Sequence, residues 1–400
     1  MSTSSNTRDA NGDGIVIAGG GLAGQRCAET LRRSGYEREI RMVCSEPRRP
    51  YDRPPLSKEL LAGGERDDEL PFRPEQWYGD QQVDLLLGLR AERLVATEHR
   101  IELSDGSSLR YDKLLISTGG RPRTLSILSG YDNVSVLRSL DDAVLLREVL
   151  ASSRPRLAVI GAGFIGLEVA ATARKLGVDV TLIEAAACPL ESVLGQKLGG
   201  WFAQLHAAEG VDVRTGVTVE RVDANGTARA LSLSDGSAVP VDHVVVGTGI
   251  DPDVAWLADS GLDATRGVPV DLHGRTAVED VFAAGDAAAT FDESSRRHVP
   301  GSHWEAAGRQ GARAARAMLG LDPGAAPATS FWTDQYGLRI QYVGRAQSAD
   351  SVQIDGELDS RDFTATFSRA GRAVAALLIN RPRSLPAARK LIEKGSPWPI

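Results

Sequence analysis

Glycine residues at two places in the sequence have the spacing of a phosphate-binding turn. Residues 15–24 read IVIAGGGLAG and residues 157–166 read LAVIGAGFIG, so in both cases an apolar strand runs directly into G-x-G-x-x-G. In such a turn the first glycine permits a tight bend, the second lets a pyrophosphate approach the backbone, and the third lets helix and strand pack closely. Each turn predicts a dinucleotide site. The six glycines are Gly19, Gly21, Gly24, Gly161, Gly163 and Gly166.

An acidic residue follows each turn at the distance expected for a ribose contact. In these motifs the acid lies about 20 residues beyond the turn, at the end of the next strand. Glu46 and Glu184 have these positions. One glycine turn is explained equally well by close packing, but two turns with correctly placed acids favour two dinucleotides in one chain. A flavin and a nicotinamide are the expected pair, because hydride passes between them.

The second acid also predicts which nicotinamide cofactor is used. Residues 184–191 read EAAACPLE and offer no Arg or Lys for the extra phosphate of NADPH. The carboxylate of Glu184 would repel that phosphate and accept hydrogen bonds from two ribose hydroxyls. The sequence therefore favours NADH.

A longer repeat follows each turn. Residues 101–123 and residues 231–253 share LSDGS, an Asp, an apolar run, Thr-Gly and a Pro. Asp-Gly is typical of a tight hairpin turn, and the apolar run predicts a buried strand that ends at a glycine. The two halves are therefore versions of one nucleotide-binding module, which predicts an α/β protein with two Rossmann-like domains.

A third motif decides which half binds the flavin. Residues 281–289 read VFAAGDAAA, an apolar strand that ends at Gly285 and Asp286. By itself Asp286 is also consistent with a helix N-cap. Beside the two turns, it resembles the aspartate that binds the ribityl chain in flavoproteins with two dinucleotides. This assigns FAD to the first half of the chain and NADH to the second.

The composition and the hydrophobic pattern of the sequence change beyond residue 321. LDPGAAPAT is typical of a linker, and the alternating stretches after it predict antiparallel strands and a short basic helix. We expect a discontinuous FAD-binding domain, a NAD-binding domain, a small α+β C-terminal domain and a flexible tail that is not a signal peptide. Their respective bounds are 12–117 with 247–321, 118–246, 326–400 and 1–11.

Overall composition excludes several classes of function. A formal charge of −7 at pH 7 argues against a nucleic-acid partner. The cysteines Cys27, Cys44 and Cys188 have no CxxC-type spacing, which argues against a disulfide framework, a metal cluster and a vicinal redox disulfide. No apolar run approaches the roughly 20 residues that cross a membrane. We therefore expect a cytoplasmic protein with no bound metal and no membrane contact.

Four further stretches carry a family resemblance over about residues 14–395. They are PYDRPPLSKELL (50–61), VIGAGFIGLEVAATARKLG (159–177), FAAGDAA (282–288) and FWTDQYGLRIQYVG (331–344). With them the chain resembles the FAD-dependent, NADH-using ferredoxin reductases of bacterial oxygenase systems. The resemblance implies a glutathione-reductase-like pair of nucleotide-binding domains and a C-terminal α+β domain.

The resemblance also implies roles for individual residues. Lys58 and Glu168 would form an ion pair near flavin N5, whereas without the resemblance they read as a solvated lysine and an ordinary helix residue. Trp304 would cover the flavin, although the positions two before and two after it, Ser302 and Ala306, depart from the usual Glu and Asn. The implied FAD residues are Gly19, Gly21, Leu22, Ala23, Gly24, Glu46, Lys58, Ala91, Thr118, Gly119, Arg138, Gly285, Asp286 and Trp304. The implied NAD residues are Gly161, Gly163, Phe164, Ile165, Gly166, Glu168, Glu184 and Gly249.

The reaction implied is hydride transfer from NADH to FAD, followed by two one-electron transfers to a 2Fe–2S ferredoxin. That ferredoxin would serve a Rieske dioxygenase or a haem-thiolate mono-oxygenase. Trp332 would line the electron exit or simply fill the core. The basic residues of 381–394 would bind the ferredoxin, or they would simply form a solvated surface.

Other functions on the same fold remain open at this point. A disulfide reductase, peroxidase or NADH oxidase needs a redox cysteine within the segment that here reads PPLSKEL, which has none. A reductase of rubredoxin or monodehydroascorbate would have the same fold and cofactors. An AIF-like flavoprotein that signals through slow NADH chemistry is a third alternative.

Overall fold

A computed structural model describes residues 14–64, 70–152, 154–292, 296–301, 304–324, 328–347 and 349–397. The predicted tail, residues 1–11, lies outside this range, as does Ser302.

The described residues contain α-helices at seven places. They are α1 (Leu22–Arg33), α2 (Glu75–Asp80), α3 (Leu140–Ala151), α4 (Phe164–Lys175), α5 (Glu191–Ala208), α6 (Trp304–Met318) and α7 (Leu385–Glu393).

The strands are numbered along the chain. The first are β1 (Ile15–Ala18), β2 (Ile40–Cys44), β3 (Val83–Leu87), β4 (Ala91–Val95), β5 (Arg100–Leu103), β6 (Ser108–Arg110), β7 (Lys113–Ile116), β8 (Gly120–Pro122) and β9 (Val134–Ser135). They are followed by β10 (Arg156–Ile160), β11 (Asp179–Glu184), β12 (Asp212–Thr215), β13 (Val219–Asn225), β14 (Thr227–Leu233), β15 (Ala238–Pro240), β16 (His243–Val246) and β17 (Ile250–Pro252). The last are β18 (Val268–Val270), β19 (Val281–Ala283), β20 (Ala288–Asp292), β21 (Arg297–Pro300), β22 (Ser330–Gln335), β23 (Leu338–Gly344), β24 (Ser351–Glu357), β25 (Asp362–Arg369) and β26 (Arg372–Ile379).

One compact unit contains the first glycine turn. Its described residues lie up to Asp52, in Leu70–Arg121 and in Asp251–Ala326. A parallel sheet of order β19-β7-β1-β2-β3 forms its centre, and β1 is buried along its whole length, as expected for a strand covered on both faces. Helices α1 and α6 pack so closely that a Cβ on Gly311 would lie 2.0 Å from the carbonyl oxygen of Ala23.

The second compact unit contains the second turn and the C-terminal sheet. Its described residues lie in Arg53–Glu69, Pro122–Ile250 and Pro327–Ile400. The parallel sheet has the order β12-β11-β10-β16-β9, and the antiparallel sheet has the order β22-β23-β26-β25-β24. The two share one hydrophobic core, since Val159 and Phe331 belong to the same buried cluster.

The repeat predicted from the sequence is confirmed in both units. Ser107 donates to Asp105 Oδ1 through its backbone N–H at 2.9 Å and its hydroxyl at 2.6 Å, and Ser237 makes the same two bonds to Asp235 at the same distances. Each hairpin leads into a strand of its parallel sheet, β7 or β16. The α/β fold class is therefore confirmed. The predicted domain bounds stay a prediction; contacts group the described residues 53–64 with the second unit.

None of the described helices combines the length and the apolarity needed to cross a membrane.

Candidate functional site: two glycine turns and a buried ion pair

The first turn has room for a ligand at its middle glycine only. A Cβ on Gly19 would lie 2.1 Å from Ser117 O, and one on Gly24 would lie 2.2 Å from Gly19 O. A Cβ on Gly21 would meet nothing within 4 Å. The outer glycines are therefore required by the protein's own packing, whereas Gly21 leaves open space at the start of α1, which fits a pyrophosphate.

The second turn repeats this geometry. A Cβ on Gly161 would lie 2.5 Å from Gly247 O, and one on Gly166 would lie 2.0 Å from Gly161 O, while Gly163 again has nothing within 4 Å. Gly21 and Gly163 are the N-caps of α1 and α4, and neither helix has a side-chain cap or an acid in its first turn. Both helices thus present backbone N–H groups and the positive end of the helix dipole, as anion sites do.

Flanking residues of the two turns differ in their surroundings. Leu22 and Ala23 are buried in the first unit. In the second, the ring of Phe164 packs edge-on against Phe331 with centroids 4.3 Å apart, whereas Ile165 is 46% exposed. Ile165 is therefore the most exposed of these flanking side chains.

Both predicted ribose acids are held in place by hydrogen bonds. Glu184 Oε2 accepts from the backbone N–H of Ala162, inside the glycine turn, at 2.6 Å, and its Oε1 accepts from Ala186 N at 2.8 Å. Glu46 lies just beyond β2, and its Oε2 accepts from the hydroxyl of Tyr51 at 2.6 Å. Each carboxylate therefore has a fixed position at the carboxyl end of its sheet.

Within residues 281–289, one side chain is only half-buried. Residues 281–285 and 287–289 are buried, and Asp286 between them is half-buried. Asp286 lies inside a 3₁₀ turn, Gly285–Ala287, and Gly285 donates its N–H to Gln310 Oε1 at 2.8 Å. Asp286 therefore does not cap an α-helix, so its partly exposed carboxylate fits the ribityl contact better.

Other residues implied for FAD lie at the ends of elements. Trp304 is the first residue of α6, and its indole N–H donates to Asp52 Oδ1 at 2.6 Å. The Thr118 hydroxyl donates to Asp253 O at 2.6 Å, and Ala91 is buried at the start of β4.

Two glycines and an arginine occupy backbone positions that the fold requires. Gly119 and Gly249 follow β7 and β16 and have φ of 76° and 106°. In the second unit, Gly249 O accepts from Arg123 N at 2.9 Å. Arg138 precedes α3, and its N–H donates to Asp142 Oδ2 at 3.0 Å within the capping box of that helix.

An ion pair between Lys58 and Glu168 is buried in the second unit. Lys58 Nζ lies 3.0 Å from Glu168 Oε1, and the two side chains are 10% and 4% exposed. Lys58 is therefore not a solvated lysine. A buried ion pair is costly unless further hydrogen bonds hold it.

Two hydroxyl groups supply those hydrogen bonds, and sequence reasoning missed both. Ser57 Oγ donates to Glu168 Oε2, and Thr333 Oγ1 donates to Glu168 Oε1 at 2.6 Å. Thr172, one helical turn after Glu168, donates its hydroxyl to Ser57 O at 2.8 Å and so fixes the serine. Because these residues come from three distant segments, no spacing pattern in the sequence could have revealed them.

The three cysteines offer no reactive thiolate. All are free and buried, and burial raises the pKa of the Cys27 thiol and raises that of Cys44 to about 12. Ser57, not a cysteine, occupies the segment where a disulfide reductase needs its redox thiol. The site therefore lacks the nucleophile of thiol chemistry.

Two of the basic C-terminal residues contact neighbouring side chains. Arg381 pairs with Asp355 and Asp362, and Arg389 donates to Ser330 Oγ. The ring of Trp332 lies under the guanidinium of Arg339, at 5.4 Å. The other cations of residues 381–394 are Arg383, Lys390 and Lys394.

Comparisons with known proteins agree with this geometry. The family described as pyridine nucleotide-disulphide oxidoreductase matches residues 13–311, and the one described as reductase C-terminal matches residues 330–399. The chain is 36% identical over 387 residues to the 5,5'-dehydrodivanillate O-demethylase ferredoxin reductase subunit of a Sphingobium species, covering 95% of this chain and 93% of that one. It is 35% identical over 387 residues to putidaredoxin reductase of Pseudomonas putida, covering 95% and 92%.

A solved structure shows the same fold at full length. The reductase in the covalent putidaredoxin reductase–putidaredoxin complex superposes with a TM-score of 0.93 at 35% identity, over 97% of this chain and 94% of that one. The chain therefore belongs to the ferredoxin–NAD(+) reductases of oxygenase systems, within the pyridine nucleotide-disulphide oxidoreductases.

Proposed function

We propose that this enzyme passes electrons from NADH through FAD to a 2Fe–2S ferredoxin that serves a Rieske dioxygenase or a haem-thiolate mono-oxygenase. The observation that carries the proposal is the pair of equivalent glycine turns in one chain, each open only at its middle glycine. The acceptor is inferred from the relatives, which are named as ferredoxin reductases of demethylase and dioxygenase systems and as putidaredoxin reductase.

The residues of the first unit fit FAD. Backbone N–H groups at the start of α1 would bind the pyrophosphate beside Gly21, and Glu46, fixed by Tyr51, would bind the adenosine ribose. Asp286 would bind the ribityl chain, and Trp304, oriented by its bond to Asp52, would cover the ring. When bound, FAD accepts a hydride from NADH and releases electrons one at a time.

The residues of the second unit fit NADH. The start of α4 would bind its pyrophosphate beside Gly163, and the fixed carboxylate of Glu184 would bind a ribose. We propose that Lys58 and Glu168 form the catalytic ion pair, with the Lys58 ammonium beside the reacting ring and Glu168 holding it in place.

The cytoplasm is the location that we propose for this reaction. NADH is supplied there, and three free cysteines suit a reducing compartment.

The test is NADH-driven cytochrome c reduction by the purified flavin-loaded protein, with and without an oxygenase-type 2Fe–2S ferredoxin. We expect a large ferredoxin-dependent rate with NADH and a much smaller rate with NADPH. No stimulation by several such ferredoxins, beside rapid flavin reduction by NADH, would contradict the proposed acceptor. A rubredoxin tested in parallel distinguishes the alternative acceptor, and slow flavin reduction would instead favour a signalling role.

A further inference from the structure

Glu168 accepts hydrogen bonds from three donors that reach it from different parts of the second unit. Lys58 and Thr333 donate to Oε1 at 3.0 and 2.6 Å, and Ser57 donates to Oε2. Glu168, Ser57 and Thr333 are 3%, 2% and 0% exposed. Paired with the Lys58 ammonium, Glu168 acts as a carboxylate, which accepts from the ammonium and from both hydroxyls at once.

A chain of buried polar side chains continues behind Thr333. Gln335 Nε2 lies 3.1 Å from Thr333 Oγ1, and Gln335 Oε1 lies 3.0 Å from His206 Nε2. The other ring nitrogen of His206, Nδ1, lies 2.8 Å from the hydroxyl of Tyr336. Four contacts thus link Tyr336 to Glu168 without interruption.

The ionised carboxylate fixes the direction of every hydrogen bond in this chain. Since Glu168 can only accept, Thr333 must donate to it and must therefore accept from the amide of Gln335. That orientation turns Gln335 Oε1 toward His206, which must carry its proton on Nε2. Nδ1 is then an acceptor, and the Tyr336 hydroxyl donates its hydrogen bond to it. All four donors point toward Glu168.

The state of the histidine matches this assignment. His206 is fully buried, and burial lowers its pKa to about 4, so the ring is neutral near pH 7 and keeps one donor and one acceptor. Aligned hydrogen bonds of this kind polarise one another and rigidify the group at their end. The chain therefore ends in a Thr333 hydroxyl with a single available direction.

We propose that Thr333 is a positioning residue, which fixes the Glu168 carboxylate for Lys58 through a directed hydrogen-bond chain built on β22 and α5. The proposal rests on the proposed function for the role of the ion pair. It gives the C-terminal sheet a part in the reductive half-reaction, because Thr333 is on that sheet.

The test compares three substitutions. Thr333→Val removes the hydroxyl while keeping the shape, and Thr333→Ser keeps the hydroxyl. Thr366→Val is the matched control, since Thr366 is also buried in the C-terminal sheet but its hydroxyl has no hydrogen-bond partner among the described residues. The rate of flavin reduction by NADH is measured by stopped flow in the absence of ferredoxin.

Thr333→Val is expected to slow reduction at saturating NADH about tenfold, the loss of one hydrogen bond to a charge, with less than a twofold change in the apparent Kd for NADH. Thr333→Ser and Thr366→Val should reduce at the wild-type rate. Equal rates for the two valine variants would overturn the proposal. If Thr333→Val does not fold, Thr333→Ala against Thr333→Ser gives the same comparison.

Urea unfolding of the flavin-loaded protein provides a second readout that is independent of turnover. Thr333→Val should lower the urea midpoint in the wild-type background and shift it much less in a Glu168→Leu background, because the acceptor is then gone. Thr366→Val should shift the midpoint equally in both backgrounds. If Thr333→Val shifts the urea midpoint equally in the wild-type and Glu168→Leu backgrounds, the proposal is overturned.

The proposed function fails separately from this inference. If the wild-type protein reduces no ferredoxin but Thr333→Val still slows flavin reduction, the acceptor is wrong and the positioning role stands. If ferredoxin turnover is rapid and Thr333→Val changes neither readout, the positioning role is wrong and the function stands.

Discussion

A single carboxylate at the carboxyl end of β11 explains the expected choice between NADH and NADPH. Two backbone N–H groups, those of Ala162 and Ala186, hold Glu184 in place, so it cannot swing away from a phosphate on the 2′ oxygen. Residues 184–191 contain no cation to compensate the charge. We expect discrimination here to depend on repulsion as much as on binding.

Replacing that carboxylate should therefore change cofactor preference. We expect Glu184→Gln to lower the ratio of kcat/KM for NADH over NADPH about tenfold or more, since the repulsion is lost together with a hydrogen-bond acceptor. Steady-state reduction of ferricyanide with each cofactor measures the ratio. Glu191→Gln is the control, because Glu191 also accepts from a loop amide, that of Ala187, at 3.0 Å. A ratio that moves equally in both variants would contradict the assignment to Glu184.

At the scale of elements, glycine has two different roles in the turn between β10 and α4, close packing and access for a ligand. Gly166 is required by packing, since its Cβ would lie 2.0 Å from Gly161 O, whereas a Cβ on Gly163 would meet nothing within 4 Å, so we expect only a ligand to require that glycine. The backbone at Gly163 has φ −75°, which any residue adopts.

Two alanine substitutions in this turn should therefore affect different properties, one the affinity for NADH and the other the stability of the fold. Gly163→Ala is expected to leave the unfolding free energy unchanged and to weaken NADH binding about tenfold or more. Gly166→Ala is expected to lose about 2 kcal/mol of stability through the forced contact. Calorimetric titration and urea unfolding measure the two quantities. An unchanged Kd in Gly163→Ala would exclude a pyrophosphate from this turn.

The packing of α5 against the C-terminal sheet predicts a pH dependence of stability. His206 has a pKa of about 4 when folded and about 6.5 when unfolded, so below pH 6.5 the unfolded chain binds more protons. Its stabilising contribution is complete above that pH and declines as the pH falls toward 4. The expected loss between pH 7.5 and pH 5 is about 2 kcal/mol.

Urea unfolding at these two pH values, in wild type and in His206→Gln, tests this expectation. The difference in unfolding free energy between pH 7.5 and pH 5 should shrink in His206→Gln. It should persist in His298→Gln, which changes an exposed histidine. The same loss in all three proteins would assign the effect to other groups.

The same elements show which features a sequence can reveal. Glycine spacing, the acids that follow and the two LSDGS hairpins are local patterns, and the structure reproduces them as turns, strand ends and hairpins. The partners of Glu168 are not local. Ser57 and Thr333 reach it only because residues 53–64 and β22 pack in the same unit as α4. Long-range packing of this kind has no periodic signature.

At the scale of the whole molecule, the C-terminal sheet belongs to the core of the second unit. Phe331 packs on Phe164 of α4, and Phe363 packs on Trp201 of α5 with ring centroids 5.1 Å apart. The hydrophobic clusters of the first unit contain no described residue from 328–397. The sheet therefore supports the core on which the proposed NADH site of the second unit is built.

Truncation of the chain should reveal that asymmetry. A protein ending at residue 324 would expose Phe164 and Trp201, at a cost of about 2 kcal/mol or more for each, and would leave Glu168 without Thr333. We expect it to lose NADH binding and to be cleaved rapidly by proteases in 122–250, while 70–121 stays protected. Ending the chain at residue 380 is the graded control: it removes α7, whose apolar side chains pack on a small cluster around Val343, so NADH binding should persist. Equal protection of 122–250 in both truncated proteins would show that the nucleotide-binding half folds without the sheet, and the positioning role of Thr333 would then be its main contribution.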